Sequence, residues 1–119
     1  MISTTQIHTG TTDNVIPETA YINGTVRTFD KDVQAMVVAR MQEIVAGVAA
    51  GYGCEARLEF EFGYPPTVND ATKAAFAAQV AADVAGADGV DDAVTPVMGA
   101  EDFSYMLEAR PGAYLMLGQ

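Results

Sequence analysis

Apolar and polar residues alternate without a break from Glu55 to Phe62. Ala56, Leu58, Phe60 and Phe62 fall on one side, and Glu55, Arg57, Glu59 and Glu61 on the other. A period of two is the pattern of a half-buried strand in an antiparallel sheet. The stretch before it has another period. Val33, Met36, Val37, Met41, Ile44, Val45 and Val48 recur at helical spacing, which predicts a long amphipathic helix from Asp30 to about Ala50. Asp30 stands where an N-cap belongs, Asp32 adds negative charge to the first turn, and Gly51 and Gly53 stop the helix. Two strands precede it. Ile2 to His8 is rich in Thr and Ile. Thr19 to Thr28 turns Ala20, Ile22 and Val26 to one face and Tyr21, Asn23, Thr25 and Arg27 to the other. Gly24 inside this second strand predicts a bulge or a close backbone approach.

Tyr64-Pro65-Pro66 is a stiff connector. Beyond it the composition shifts to alanine. Asn69 or Asp70 caps a predicted helix to about Ala85, with Phe76, Ala77, Val80, Ala81 and Val84 on its apolar side. Gly86 to Asp92 is an acidic loop. Val94 to Met98 is short and extended, interrupted by Pro96. Gly99 to Asp102 opens a further helix to Ala109, Arg110-Pro111-Gly112 turns the chain, and Ala113 to Leu117 reads as a final strand.

Composition narrows the function classes. Among 119 residues, 6 Lys and Arg face 16 Asp and Glu, giving a formal net charge of −10. Such a chain lacks the clustered cations that neutralise nucleic-acid phosphates or an anionic membrane surface. Half the residues are apolar and 18% are charged, a balance that argues against disorder. The one cysteine, Cys54, cannot form an internal disulfide, so a cytoplasmic location is the simplest expectation. The one histidine, His8, leaves little for a metal site of His and Cys ligands. No uninterrupted apolar run approaches the ~20 residues that cross a bilayer, and Met1 to Gly10 lacks the pattern of a secretory signal.

Two local features stand out chemically. Asn14 lies in a loop before the second strand, and Arg27 on that strand's polar face. A guanidinium fork with an amide donor can grip a carboxylate, although an Arg paired to a nearby acid and an Asn holding its own turn read equally from these residues. At Met98-Gly99-Ala100-Glu101-Asp102-Phe103, small residues expose backbone N–H groups, while two acids in a first turn also stabilise a helix by themselves.

The order Asn14-Val15-Ile16-Pro17, Gly24-Thr25-Val26-Arg27-Thr28-Phe29, Gly63-Tyr64-Pro65-Pro66-Thr67-Val68-Asn69, Met98-Gly99-Ala100-Glu101-Asp102-Phe103, Pro111-Gly112-Ala113 and Leu117-Gly118 resembles the hippurate-hydrolase-like amidohydrolases. These belong to the metal-dependent aminoacylase and carboxypeptidase superfamily. No stretch is specific alone; their order along nearly the whole chain is.

The resemblance implies an α+β fold. Residues 1–63 would be part of a ferredoxin-like βαβ dimerisation (lid) domain with a mostly antiparallel sheet, and residues 64–119 an α/β piece of the catalytic domain. The family hydrolyses the amide bond of N-acyl amino acids with two divalent metal ions, zinc, manganese or cobalt, and pairs as a homodimer. Its metal ligands and general-base glutamate lie outside the stretches matched here, so the chain is expected to supply no catalytic residue, to bind no metal and to be inactive alone. Asn14 and Arg27 match the pair that grips the substrate carboxylate, often reaching into the partner subunit's active site. Gly99 matches the loop whose backbone lies beside the substrate. Asp102 is expected to support that loop, and Glu101 is not assigned as a metal ligand. A non-catalytic association module, pairing through the open edge of Ile2 to His8, is the alternative from another class. A small-molecule sensor would rest only on the βαβ pattern.

Overall fold

The computed structural model describes residues 1–118. Its elements are β1 (Ile2–Thr9), β2 (Ala20–Val26), α1 (Lys31–Gly51), α2 (Ala71–Ala85), a 3₁₀ turn at Ala87–Gly89 and α3 (Phe103–Ala109). The chain divides into two compact units, Met1–Leu58 and Glu59–Gln119. The class is α+β, as the sequence implies.

In the first unit β1 and β2 form an antiparallel hairpin. The ladder runs Ile2↔Val26, Ser3↔Thr25 and Thr4↔Gly24. It then shifts, so that Gln6 faces Asn23 and Thr5 has no partner. This is the bulge expected at Gly24. A Cβ there would stand 2.2 Å from the Ser3 carbonyl oxygen, so only glycine fits. Past Val26, the Arg27 N–H donates to the Met1 carbonyl at 2.9 Å, and the Met1 amine donates to the Arg27 carbonyl at 2.8 Å.

Helix α1 begins as its sequence predicts. The Asp30 carboxylate accepts from the N–H groups of Asp32 and Val33, each at 2.9 Å, satisfying two donors that an α-helix leaves open. The helix passes through Gly51, ends at Tyr52, and Gly53 turns away with φ 68°. Val37, Val38, Met41, Val45 and Ala49 form a half-buried stripe, while Val33, Met36, Ile44 and Val48 face outward. At 21 residues and a hydropathy of 1.3, α1 is long and apolar enough to cross a membrane. It carries the Arg40–Glu43 ion pair (2.7 Å) on its outer surface.

In the second unit Asp70, not Asn69, caps α2, accepting from the Lys73 N–H at 2.9 Å. The half-buried positions of α2 are Ala74, Ala77, Ala78, Ala81 and Ala82. Phe76, Val80 and Val84 lie a turn apart on the exposed side, and Val84 is 84% exposed. The apolar side expected from the sequence is therefore split: its alanines are half-covered, and its large residues are not.

Three expected extended segments form no strand. Glu55–Phe62, Val94–Met98 and the described part of Ala113–Leu117 carry no ladder. The alternation at Glu55–Phe62 persists in side-chain direction. Phe60 and Phe62 meet at 5.0 Å between ring centroids, and Leu58 and Phe60 are half-buried. What is lacking is a neighbour, since a strand is defined by hydrogen bonds to another strand. Among the described residues no apolar side chain is fully buried, and Ser104 alone is.

The bulge gives a direct test. Gly24→Ala forces the new methyl into the Ser3 carbonyl or shifts the ladder, a steric cost of about 1–3 kcal/mol. Chemical denaturation of the two proteins should show that loss, whereas Gly47→Ala, with open space at its Cβ, should show none.

Candidate functional site

The hairpin presents two of the three candidate binding residues. Asn14 lies in the connection between β1 and β2. The Thr9 hydroxyl donates to the Thr19 carbonyl at 2.9 Å and pins the base of that connection. Asn14 Oδ1 accepts from the Thr12 hydroxyl at 3.0 Å, and the Asn14 amide NH₂ donates to no described residue. Arg27 follows Val26 and is half-buried. The seven residues of β2 place its ends about 20 Å apart at ~3.3 Å per step. Asn14 thus belongs to the connection beyond one end, and Arg27 follows the other.

The polar face of β2 is ordered across the ladder. Tyr21 opposes His8, with ring centroids 6.3 Å apart and planes at 21°. The Asn23 amide donates to the Tyr21 hydroxyl at 2.7 Å. His8 is therefore a cross-strand partner. Cys54 is exposed, with its thiol directed at the Tyr52 carbonyl (3.6 Å).

Gly99, the third candidate, lies in the second unit and has open space where a Cβ would stand. The residue that fixes its neighbourhood is Glu101. One carboxylate oxygen accepts from the Phe103 N–H at 3.3 Å and the other from the Tyr114 hydroxyl at 2.9 Å. The Glu101 carbonyl accepts from the buried Ser104 hydroxyl at 2.6 Å. Asp102, expected to be the supporting acid, makes no side-chain cap to α3; its carbonyl receives the Tyr105 N–H at 3.1 Å.

Tyr114 joins three segments. Its N–H donates to Asn69 Oδ1 at 2.8 Å, and its carbonyl accepts from Asn69 Nδ2 at 3.1 Å. Its ring lies 5.6 Å from that of Phe103. The Asp70 N–H donates to the Gly112 carbonyl at 2.9 Å. A shallow open groove beside this junction is lined by Val68, Asn69, Asp70, Leu107, Pro111 and Gly112. Sequence reasoning missed the junction, because Asn69 and Tyr114 are 45 residues apart and no local pattern links them.

The junction has its own electrostatics. The Phe103 N–H and the Tyr114 hydroxyl hold the Glu101 carboxyl below its ordinary value of 4.5. The hydrogen bond to Glu101, and its charge, raise the Tyr114 hydroxyl above 10.0. Among the described residues no group of three or more His, Cys, Asp or Glu side chains is placed to hold an ion.

The shifts predict a pH window. A depressed carboxyl adds stability above its unfolded value, and this is lost as pH falls through the folded value. A raised hydroxyl adds stability below its unfolded value, lost as pH rises through the folded value. The Glu101–Tyr114 contribution should therefore be full between about pH 4.5 and 10 and fade on either side. Stability profiles of wild type and Tyr114→Phe should diverge inside that window and converge outside it.

Known proteins give this arrangement its context. The family described as Peptidase family M20/M25/M40 matches residues 4–119. Thermostable carboxypeptidase 1 of Saccharolobus solfataricus is 36% identical over 119 residues, which is 99% of this chain and 29% of that protein. The N-acetylcysteine deacetylase of Bacillus subtilis is 39% identical, over 99% of this chain and 30% of its own length. The crystal structure of a Bacillus subtilis protein, a dinuclear metal binding peptidase from the M20 family, superposes with a TM-score of 0.78 at 38% identity, covering 94% of this chain and 30% of that one. The chain thus spans about 30% of the length of the relatives it matches. With nearly all of its residues aligned to this group in both sequence and fold, the chain belongs to peptidase family M20/M25/M40.

Proposed function

We propose that this chain is the substrate-gripping and dimerising part of a metal-dependent amidohydrolase that cleaves N-acyl amino acids, hippurate-type conjugates among them. The observation that carries the reading is the hairpin, which places Asn14 in the connection at one end and Arg27 just past the other. Family membership and the deacetylase among its relatives support it. Two divalent ions, when bound in such an enzyme, would supply Lewis-acid activation of the attacking water. The resemblance places the family's metal ligands and general-base glutamate outside the stretches matched here, and no group of three or more His, Cys, Asp or Glu among the described residues is arranged to hold an ion. The chain alone hydrolyses nothing.

The work left to this segment is orientation. Arg27 is one of only six cations in a chain of net charge −10, and its guanidinium suits a carboxylate through a planar fork. The Asn14 amide supplies the further donor. Within one chain β2 stands between them. Pairing of the outer edge of β1 with a second copy, antiparallel about a two-fold axis, brings the β1–β2 connection of one protomer beside the Arg27 end of the other. Only two strand spacings, about 10 Å, then separate β1 from the partner's β2. Each end of the four-stranded sheet would hold one Asn14 and one Arg27 from different protomers. A two-fold dimer of this kind also covers the open β1 edge.

Mixing variants of the full-length enzyme tests this. Arg27→Ala and Asn14→Ala should each raise KM for an N-acyl amino acid, Arg27→Ala by tenfold or more. Co-refolded in equal amounts and assayed at substrate well below KM, the two impaired variants should recover to roughly a quarter of wild-type activity, because half the dimers are mixed and each has one intact site. A mixture as inactive as its components would place both residues in one protomer's site. Unchanged kinetics in Arg27→Ala would remove it from the site altogether.

A further inference from the structure

Gly99 and Ala100 are exposed, and their N–H groups donate to no described residue. The residue that follows is held on all sides. Glu101 is tied by its two carboxylate oxygens to Phe103 and Tyr114, and by its carbonyl to the Ser104 hydroxyl. Tyr114 is itself immobilised by both atoms of the Asn69 amide and by the Phe103 ring. A two-residue segment whose N–H groups are unbonded thus precedes a residue held through both carboxylate oxygens and its carbonyl. A displacement of about 1 Å at a reacting centre can cost as much as a hundredfold in rate.

We propose that Glu101 is a positioning residue, its carboxylate locked to the Tyr114 hydroxyl so that the Gly99–Ala100 segment is held in the conformation that meets the substrate. The proposal rests on the reading that this segment lies beside the substrate. Glu101 touches neither substrate nor metal in this role. It acts through the peptide that precedes it, and Tyr114 acts through Glu101. The link spans 13 residues of sequence and explains why an acid beside Gly99 is bonded to a tyrosine.

Tyr114→Phe is the sharpest variant, since it removes the hydroxyl and keeps the ring on Phe103 and the backbone bonds to Asn69. In the full-length enzyme kcat should fall about tenfold or more while KM changes little, the signature of lost transition-state geometry. Glu101→Ala should behave alike. Glu101→Gln, which keeps an acceptor for the hydroxyl, should recover part of the loss. The double variant Glu101→Ala with Tyr114→Phe should be no worse than the poorer single, because the two act as one unit. A loss of kcat that merely follows the folded fraction in a thermal melt would overturn the proposal, as would an unchanged kcat in Tyr114→Phe.

A second measurement separates this from the functional reading. NMR relaxation should show lower order parameters at the Gly99 and Ala100 amides in Tyr114→Phe than in wild type, without any substrate. If wild type cleaves no N-acyl amino acid, the functional reading fails and the positioning claim is decided by these amides alone. A drop sustains it, and identical order parameters overturn it.

Discussion

The Asn69 side-chain amide closes both backbone hydrogen-bonding groups of Tyr114, and the second unit depends on this bridge. A side-chain amide presents an acceptor oxygen beside a donor NH₂, so Asn69 takes the place that a neighbouring strand's peptide would occupy. The bonds of 2.8 and 3.1 Å fasten the segment after Pro66 to the segment after Gly112. Asp70 reinforces the bridge from both sides, donating its N–H to Gly112 and accepting from the first turn of α2. The start of α2 and the Tyr114 segment are thereby fixed together, and the tyrosine hydroxyl carries the constraint on to Glu101 and α3.

Hydrogen bonds carry this weight because apolar burial does not. Among the described residues no apolar side chain is fully buried, and α2 turns Phe76, Val80 and Val84 outward while its alanines are half-covered. Contiguous exposed apolar surface of this kind marks a face that meets other protein. The relatives are more than three times the length of this chain. The first unit shows the same economy. Its hairpin is specified by a ladder, a glycine bulge and a pinned connection rather than by a core.

This scaffold divides the chemistry of the chain. The hairpin holds Asn14 and Arg27 at separate ends, and in the other unit the Tyr114 hydroxyl holds the carboxylate of Glu101, two residues after Gly99. Neither feature breaks a bond. In the proposed function both serve to orient substrate.

Local signals were legible in the sequence and are met in the structure. Asp30 and Asp70 cap helices because a carboxylate one residue before a helix reaches its open N–H groups. Gly24 marks a bulge because a side chain would strike Ser3. The α+β class and the family follow from motifs spread along the chain. Tertiary structure decided everything that needs a partner distant in sequence. The flawless alternation of Glu55–Phe62 gives the direction of Phe60 and Phe62 but not a ladder, because period two states which side chains share a face and says nothing of what lies alongside. The helical period of α2 likewise did not reveal that alanines, rather than Phe76 and Val80, would be the covered side. Locally Asn69 read as a possible cap and Glu101 as one of two helix-start acids, each within a stretch of the family resemblance, and neither reading gave a bond to Tyr114. Their bonds to Tyr114 exist because the fold brings together residues 45 and 13 positions apart, and no local pattern encodes a contact of that range.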